Sequence, residues 1–144
     1  KPPRKYQPGV LHEMFYTRCI LPYNDSTLIV LSDNALFKLN LNDKRLEEID
    51  FGLNYSKDYF YLHRIIRHHD GTYYISTRHA GIFHLNADFK LIEHLEHKTD
   101  DPNSLVSSNY IYEIGEDPFG KVWIGTEDGF SVFDPETSSF SNSN

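Results

Sequence analysis

The chain has 144 residues, 39% of them hydrophobic and 15% aromatic, enough apolar side chain for a folded core and too much for a disordered segment. Its 21 acidic residues outnumber 14 Lys and Arg, for a formal net charge of −7. With no basic run beyond the Lys1–Lys5 tail, this excludes a nucleic-acid face and disfavours an anionic membrane surface.

The single cysteine, Cys19, can form neither an internal disulfide nor a cysteine metal site, and reads as a buried, inert thiol. No stretch has the length of a transmembrane helix or the pattern of a signal peptide. The opening KPPRKYQPG and the closing SNSN read as cuts inside a longer protein.

In chain order, strand-favouring runs come in groups of four. The first group is Phe15 to Leu21, Thr27 to Leu31, Ala35 to Asn40 and Arg45 to Ile49. The second is Leu62 to Arg67, Thr72 to Thr77, Gly81 to Asn86 and Phe89 to Ile92. The third is Asn109 to Ile114, Lys121 to Thr126, Gly129 to Asp134 and Ser138 to Phe140. Each group holds runs of about five or six β-favouring residues broken by turn residues, with no sustained 3.6-residue apolar period.

The turns repeat as well. Asp117-Pro118-Phe119-Gly120 places Asp, Pro and Gly at the first, second and fourth positions of a type I turn. His69-Asp70-Gly71 matches it one repeat earlier, and Tyr23-Asn24-Asp25-Ser26 is a glycine-free version in the first group. From Leu39 to Leu85 is 46 positions, and from Leu85 to Phe133 is 48. Four-stranded propeller blades repeat at about 40–50 residues. The expected fold is therefore all-β, a β-propeller segment of about three four-stranded antiparallel blades.

Val122-Trp123-Ile124 and Tyr73-Tyr74-Ile75 are apolar at consecutive positions. A strand with one wet face would alternate, so these predict sheets covered on both faces. Trp123 is accordingly expected between blades rather than stacked on a sugar.

Asp101-Pro102-Asn103-Ser104-Leu105, Ser108-Asn109-Tyr110-Ile111, Glu116-Asp117, Gly120 to Thr126, Asp128-Gly129 and Phe133 to Thr137 together closely resemble the two-component regulator propeller repeat. Residues 60–100 resemble it through Asp70-Gly71, Ile75-Ser76-Thr77 and Gly81-Ile82-Phe83, and residues 10–50 through spacing and strand pattern. The resemblance implies the sensing part of a hybrid two-component system of Bacteroides-like bacteria. That part is periplasmic, and a membrane anchor and histidine kinase lie elsewhere on the same chain.

Residues 1–14 are then a linker or a partial outer strand of a preceding blade, with blades at 15–58, 59–102 and 103–144. The whole would be a propeller of about seven blades. A segment of a longer propeller is preferred to a ring closed by self-association, because three blades alone would leave apolar faces uncovered. The expected partners are neighbouring blades of the same parent chain, an oligosaccharide, and a second copy in a dimeric receptor. No nucleic acid, cofactor or metal is expected in this segment.

No Gly-x-Ser-x-Gly elbow or phosphate-binding glycine loop is present. His94 and His97 with Glu93 and Glu96 suggest a metal set, but solvated or cross-strand histidines are the simpler reading. Loops carry function on a rigid frame. In a four-stranded blade, the second-to-third strand loop and the entry into the first strand share one face. The candidate ligand-binding residues are therefore Arg78, His79, Asn109, Tyr110, Glu127 and Asp128, with Arg78 suited to an acidic sugar. No catalytic residue is assigned. The alternatives are a carbohydrate-active propeller enzyme (a lyase or glycosidase using Glu127 and Asp128) and a purely structural or dimerisation segment.

Overall fold

A computed structural model describes residues 5–6, 16–52, 61–107 and 110–143. Among them are thirteen strands and no helix. The first sheet contains β1 (Lys5–Tyr6), β2 (Thr17–Asn24), β3 (Thr27–Ser32), β4 (Leu36–Asn40) and β5 (Leu46–Ile49). Its spatial order is β1-β5-β4-β3-β2. The second contains β6 (Leu62–Arg67), β7 (Tyr73–Thr77), β8 (Ile82–Leu85) and β9 (Leu91–Leu95), and the third β10 (Glu113–Glu116), β11 (Val122–Thr126), β12 (Gly129–Asp134) and β13 (Ser139–Asn142). These two are four-stranded, with neighbours in sequence paired in space and antiparallel.

The fold is thus the three-blade, all-β arrangement of a propeller segment, extended at the first sheet's outer edge by Lys5–Tyr6 pairing with β5. The expected boundaries at 14/15 and 58/59 lie outside the described residues.

The turns form for the reasons the residues suggest. Asp117 accepts the N–H groups of Phe119 and Lys121 at 2.8 and 3.0 Å on one carboxylate oxygen, and Gly120 leaves the turn at φ 84°. Asp70 accepts the amide and hydroxyl of Thr72 at 2.9 and 2.7 Å. Both are Asx-type local bonds that free no strand donor. Gly81, between β7 and β8, has φ 74°, and a Cβ there would collide with the carbonyl of Leu95.

Sheets pack face to face. Ile29, Leu31 and Leu36 of the first sheet meet Ile65, Tyr73, Ile75, Phe83 and Leu85 of the second, with Phe51 and Phe89 filling in from loops. Cys19 is half-buried at the edge of this cluster, its thiol directed at the carbonyl of Ile65 at 3.6 Å. The other face of the second sheet presents Tyr74, Ile82 and Leu95 to Ile114, Val122, Ile124 and Phe133 of the third. Each fully buried Leu, Ile or Phe contributes roughly 1.5–3 kcal/mol relative to exposure.

Backbone bonds tie the seams at loops. Leu62 donates to Asp33 and Leu91 to Phe51, at 2.9 and 3.0 Å.

Two expectations fail. Trp123 is not between blades. It is 44% exposed, stacks on Phe130 at 5.4 Å between centroids, and donates its indole N–H to Asp117 at 2.8 Å. Strand alternation is the reason: Val122 and Ile124 face the second sheet, so Trp123 must point the opposite way, where no sheet lies among the described residues. The strand expected from Asn109 also starts later, at Glu113. Tyr110 has φ 49°, a left-handed conformation that an extended strand cannot contain.

Candidate functional site

Three backbone segments meet at one end of the seam between the second and third sheets. They are the start of β6, the turn after β7, and the lead-in to β10. The Arg78 amide donates to the carbonyl of Tyr61 at 2.8 Å, and the Arg78 carbonyl accepts from the Tyr110 amide at 2.5 Å. Tyr112 then donates to the Gly125 carbonyl at 2.8 Å. These bonds hold Tyr110 in its left-handed conformation, which costs on the order of 1 kcal/mol and persists only where the surroundings fix it.

The result is a groove of about 310 Å³ lined by His63, Arg78, Tyr110, Ile111 and Tyr112. Tyr110 and Tyr112 are 40% and 61% exposed, and their rings lie 20° from parallel at 6.4 Å. His79 meets Tyr110 edge-on at 5.1 Å. The Arg78 guanidinium sits over the Tyr61 ring at 5.2 Å, which preorganises a charge that can pair with a carboxylate or sulfate. At the surface, Arg64 of β6 bridges to Glu113 of β10 at 3.0 Å, a further link between the two sheets.

Exposed aromatic faces beside one fixed cation offer an apolar platform and a polar anchor. That combination suits a flat, hydroxylated ligand with one apolar face. Among the described residues the lining includes no carboxylate, whereas a two-carboxylate acid–base pair would need two.

Of the six residues expected from sequence, the structure brings together Arg78, His79 and Tyr110. Glu127 and Asp128 occupy the exposed turn between β11 and β12 and do not line the groove. Asn109 lies outside the described residues. His63, Tyr112 and the supporting Tyr61 were not expected. A signal for them existed: His63 and Tyr112 each follow an aligned buried residue, Leu62 and Ile111, at equivalent places in the repeat.

The histidines mostly serve as cross-strand or loop partners. His84 bonds Glu93 and Thr72 at 2.7 and 2.9 Å and stacks on Tyr74. His94 pairs with Glu96 at 3.0 Å, and His97 bonds the Leu105 carbonyl at 2.7 Å. The His94, His97, Glu93 and Glu96 set therefore does not converge. One group of metal-ligating side chains does converge among the described residues, namely His68, His69 and Glu116. It sits at the other end of the same seam.

A family model described as two component regulator propeller matches residues 105–128. Among curated proteins nothing matches. Similar solved structures include the extracellular domain of a hybrid two component system from B. thetaiotaomicron. It is 18% identical with TM-score 0.73, and the match covers 99% of this chain and 20% of that one. A second extracellular domain from B. thetaiotaomicron, of a system described as one component, is 22% identical with TM-score 0.65, covering 88% and 16%. A virginiamycin B lyase from Staphylococcus aureus is 12% identical with TM-score 0.64, covering 97% and 45%. The chain thus spans a fifth or less of the two sensor domains and under half of the lyase, and at these identities the likeness is one of fold. Residues 105–128, the lead-in with β10 and β11, carry a two component regulator propeller repeat, within a chain whose three sheets share the propeller fold of those extracellular domains.

Proposed function

We propose that this chain is a non-catalytic, ligand-sensing propeller segment of a periplasmic receptor, and that its groove binds oligosaccharides bearing an acidic group. The observation that carries the reading is the groove itself: Tyr110 and Tyr112 are presented to solvent beside Arg78 and His63. The stacked tyrosines would take the apolar face of a sugar ring, and Arg78 its carboxylate or sulfate. The repeat at 105–128 and the likeness to extracellular domains of two component systems support the receptor context. On this reading the parent protein is a membrane-anchored dimer with a histidine kinase. Further blades of the same chain cover the third sheet's open face, as the third sheet covers the second.

Calorimetric titration of the whole extracellular part with acidic and neutral oligosaccharides tests the proposal. Saturable binding is expected, stronger for acidic chains. Arg78→Ala should weaken the acidic ligand by about tenfold or more, consistent with loss of a charge-assisted hydrogen bond of about 1.5–3 kcal/mol. Tyr112→Ala should weaken acidic and neutral ligands alike. Absence of binding, or binding indifferent to both changes, would remove the sensing role. New reducing or unsaturated ends after incubation with polysaccharides would favour the enzyme reading instead.

A further inference from the structure

At the turn end of the seam, the β6–β7 turn carries His68 and His69, and β10 ends at Glu116. His63 and His68 are five residues apart along β6, so this cluster lies about 17 Å from the groove by strand rise. We propose that His68, His69 and Glu116 form a binding site for a divalent transition metal, zinc by preference, that clips the second sheet to the third.

The donor atoms, two imidazole nitrogens and a carboxylate oxygen, all lie within 4.8 Å of one another. Metal–nitrogen and metal–oxygen bonds of about 2.0–2.2 Å place neighbouring donors of a tetrahedral site about 3.3 Å apart. His68 Nε2 is 3.4 Å from Glu116 Oε2. His69 Nδ1 is already hydrogen-bonded to that oxygen and must swing outward to admit an ion. Its side chain is 68% exposed, its ring resting on His68 and Gly120 on one side and open to solvent on the other, which leaves room for that movement. Glu116 Oε1 accepts the His69 backbone N–H at 3.0 Å, which pins the carboxylate and leaves Oε2 as the ligand.

The outer shell has the form that metal-binding histidines use. His68 Nδ1 is 3.0 Å from Asp70 Oδ1. In the metal-free protein Nδ1 accepts the Asp70 backbone N–H at 3.3 Å, so binding a metal at Nε2 shifts the ring proton to Nδ1, where the Asp70 carboxylate can accept it. In the metal-free protein Nε2 instead faces the Gly120 carbonyl at 2.7 Å. Metal binding therefore exchanges one interface bond for another, and a metal-bound water can donate to the freed carbonyl. His68 is buried, 3% exposed, so its ring is fixed in place.

A further observation points to a ligand. A cavity of about 140 Å³ opens onto His68 and His69, lined also by Asp70, Phe119, Gly120, Asp134, Pro135 and Glu136, with Glu116 outside its lining. It leaves room for water at the remaining coordination positions. The ring of fully buried Tyr74, whose hydroxyl has no hydrogen-bond partner among the described residues, meets His68 edge-on at 5.8 Å and holds that imidazole in place. Two imidazoles with a carboxylate suit zinc, nickel or cobalt rather than calcium or magnesium.

The test is titration of the purified chain with zinc chloride by calorimetry, with cobalt absorbance reporting the ligand set. One zinc per chain is expected, with a rise in melting temperature. His69→Ala and the near-isosteric Glu116→Gln should each weaken binding by at least about tenfold and reduce the cobalt band. Asp70→Asn should weaken it by about 10–100-fold with unchanged stoichiometry. Circular dichroism checks that each variant keeps its sheets. No saturable zinc binding, or binding that survives both ligand substitutions in folded protein, would overturn the proposal and leave the cluster as a hydrogen-bonded staple.

Discussion

β7 and β11 hold the same place in consecutive sheets, yet their surroundings differ. Every residue of Tyr73–Thr77 is buried, whereas in Val122–Thr126 burial alternates and Trp123 is open to solvent. Tyr74 and Trp123 are equivalent, each paired with the corresponding residue of the next strand, His84 and Val132. The second sheet is covered by a neighbour on each face, and the third on one. What makes a residue core in this fold is therefore the adjacent sheet, more than the residue's own apolarity.

The largest expected effect sets those two positions against each other. Tyr74→Ala should cost about 3–5 kcal/mol, as for a large buried aromatic, while Trp123→Ala should cost about 1 kcal/mol, the worth of a surface ring pair. Urea unfolding of both variants gives the comparison, and equal losses would break it.

A second pair is Gly81, just before β8, and Gly129, the first residue of β12. Both have positive φ, but a Cβ at Gly81 meets the Leu95 backbone, whereas at Gly129 it meets the Ser143 side chain at 2.6 Å, which can turn away. Gly81→Ala should lose about 3 kcal/mol and Gly129→Ala about 1 kcal/mol, within the range for forced backbone conformations. Thermal melts decide between them.

A smaller effect concerns acid. The Trp123 indole N–H holds the Asp117 carboxyl below its ordinary value of 3.8, outweighing desolvation with help from the Lys121 and Phe119 amides. A carboxyl lowered on folding stabilises the fold above its unfolded pKa and loses that contribution as pH falls through the folded one. Trp123→Phe should move Asp117 back up toward 3.8, seen by carboxyl-carbon NMR titration. No movement would mean the indole bond is not formed in solution.

The smallest effect is Tyr74→Phe. Removing a buried hydroxyl that has no partner among the described residues should leave stability unchanged or raise it by about 1 kcal/mol.

Much of the fold is legible in the residues. The twelve strands of the three repeats follow from β-favouring runs between Asp, Asn and Gly turns, and their antiparallel order follows from the short loops. Apolar runs announced two covered faces correctly for β7 and wrongly for β11, because one strand cannot state whether a further sheet stands beside it. Residues 1–14 read as a linker or a partial outer strand of a preceding blade, whereas Lys5–Tyr6 adds to β5 of the first sheet, because two residues carry no period that fixes the sheet they join.

The candidate groove was half legible. Arg78 and Tyr110 follow from which loops share a face, since the β7–β8 turn meets the lead-in to the next sheet, but Glu127 and Asp128 occupy the equivalent turn one sheet on, and no following lead-in faces them among the described residues. The His68, His69 and Glu116 cluster was hidden because its members come from different repeats, His68 and Glu116 being 48 positions apart. Only the packing of one blade on the next brings them together.

Trp123 is the one tryptophan of the chain, so its fluorescence reads the open face without interference. Acrylamide quenching across a range of protein concentrations should find a solvent-like emission maximum and ready quenching, unchanged by dilution. A blue-shifted, shielded tryptophan would mean that this face is already covered, and that the difference between the second and third sheets does not hold in solution.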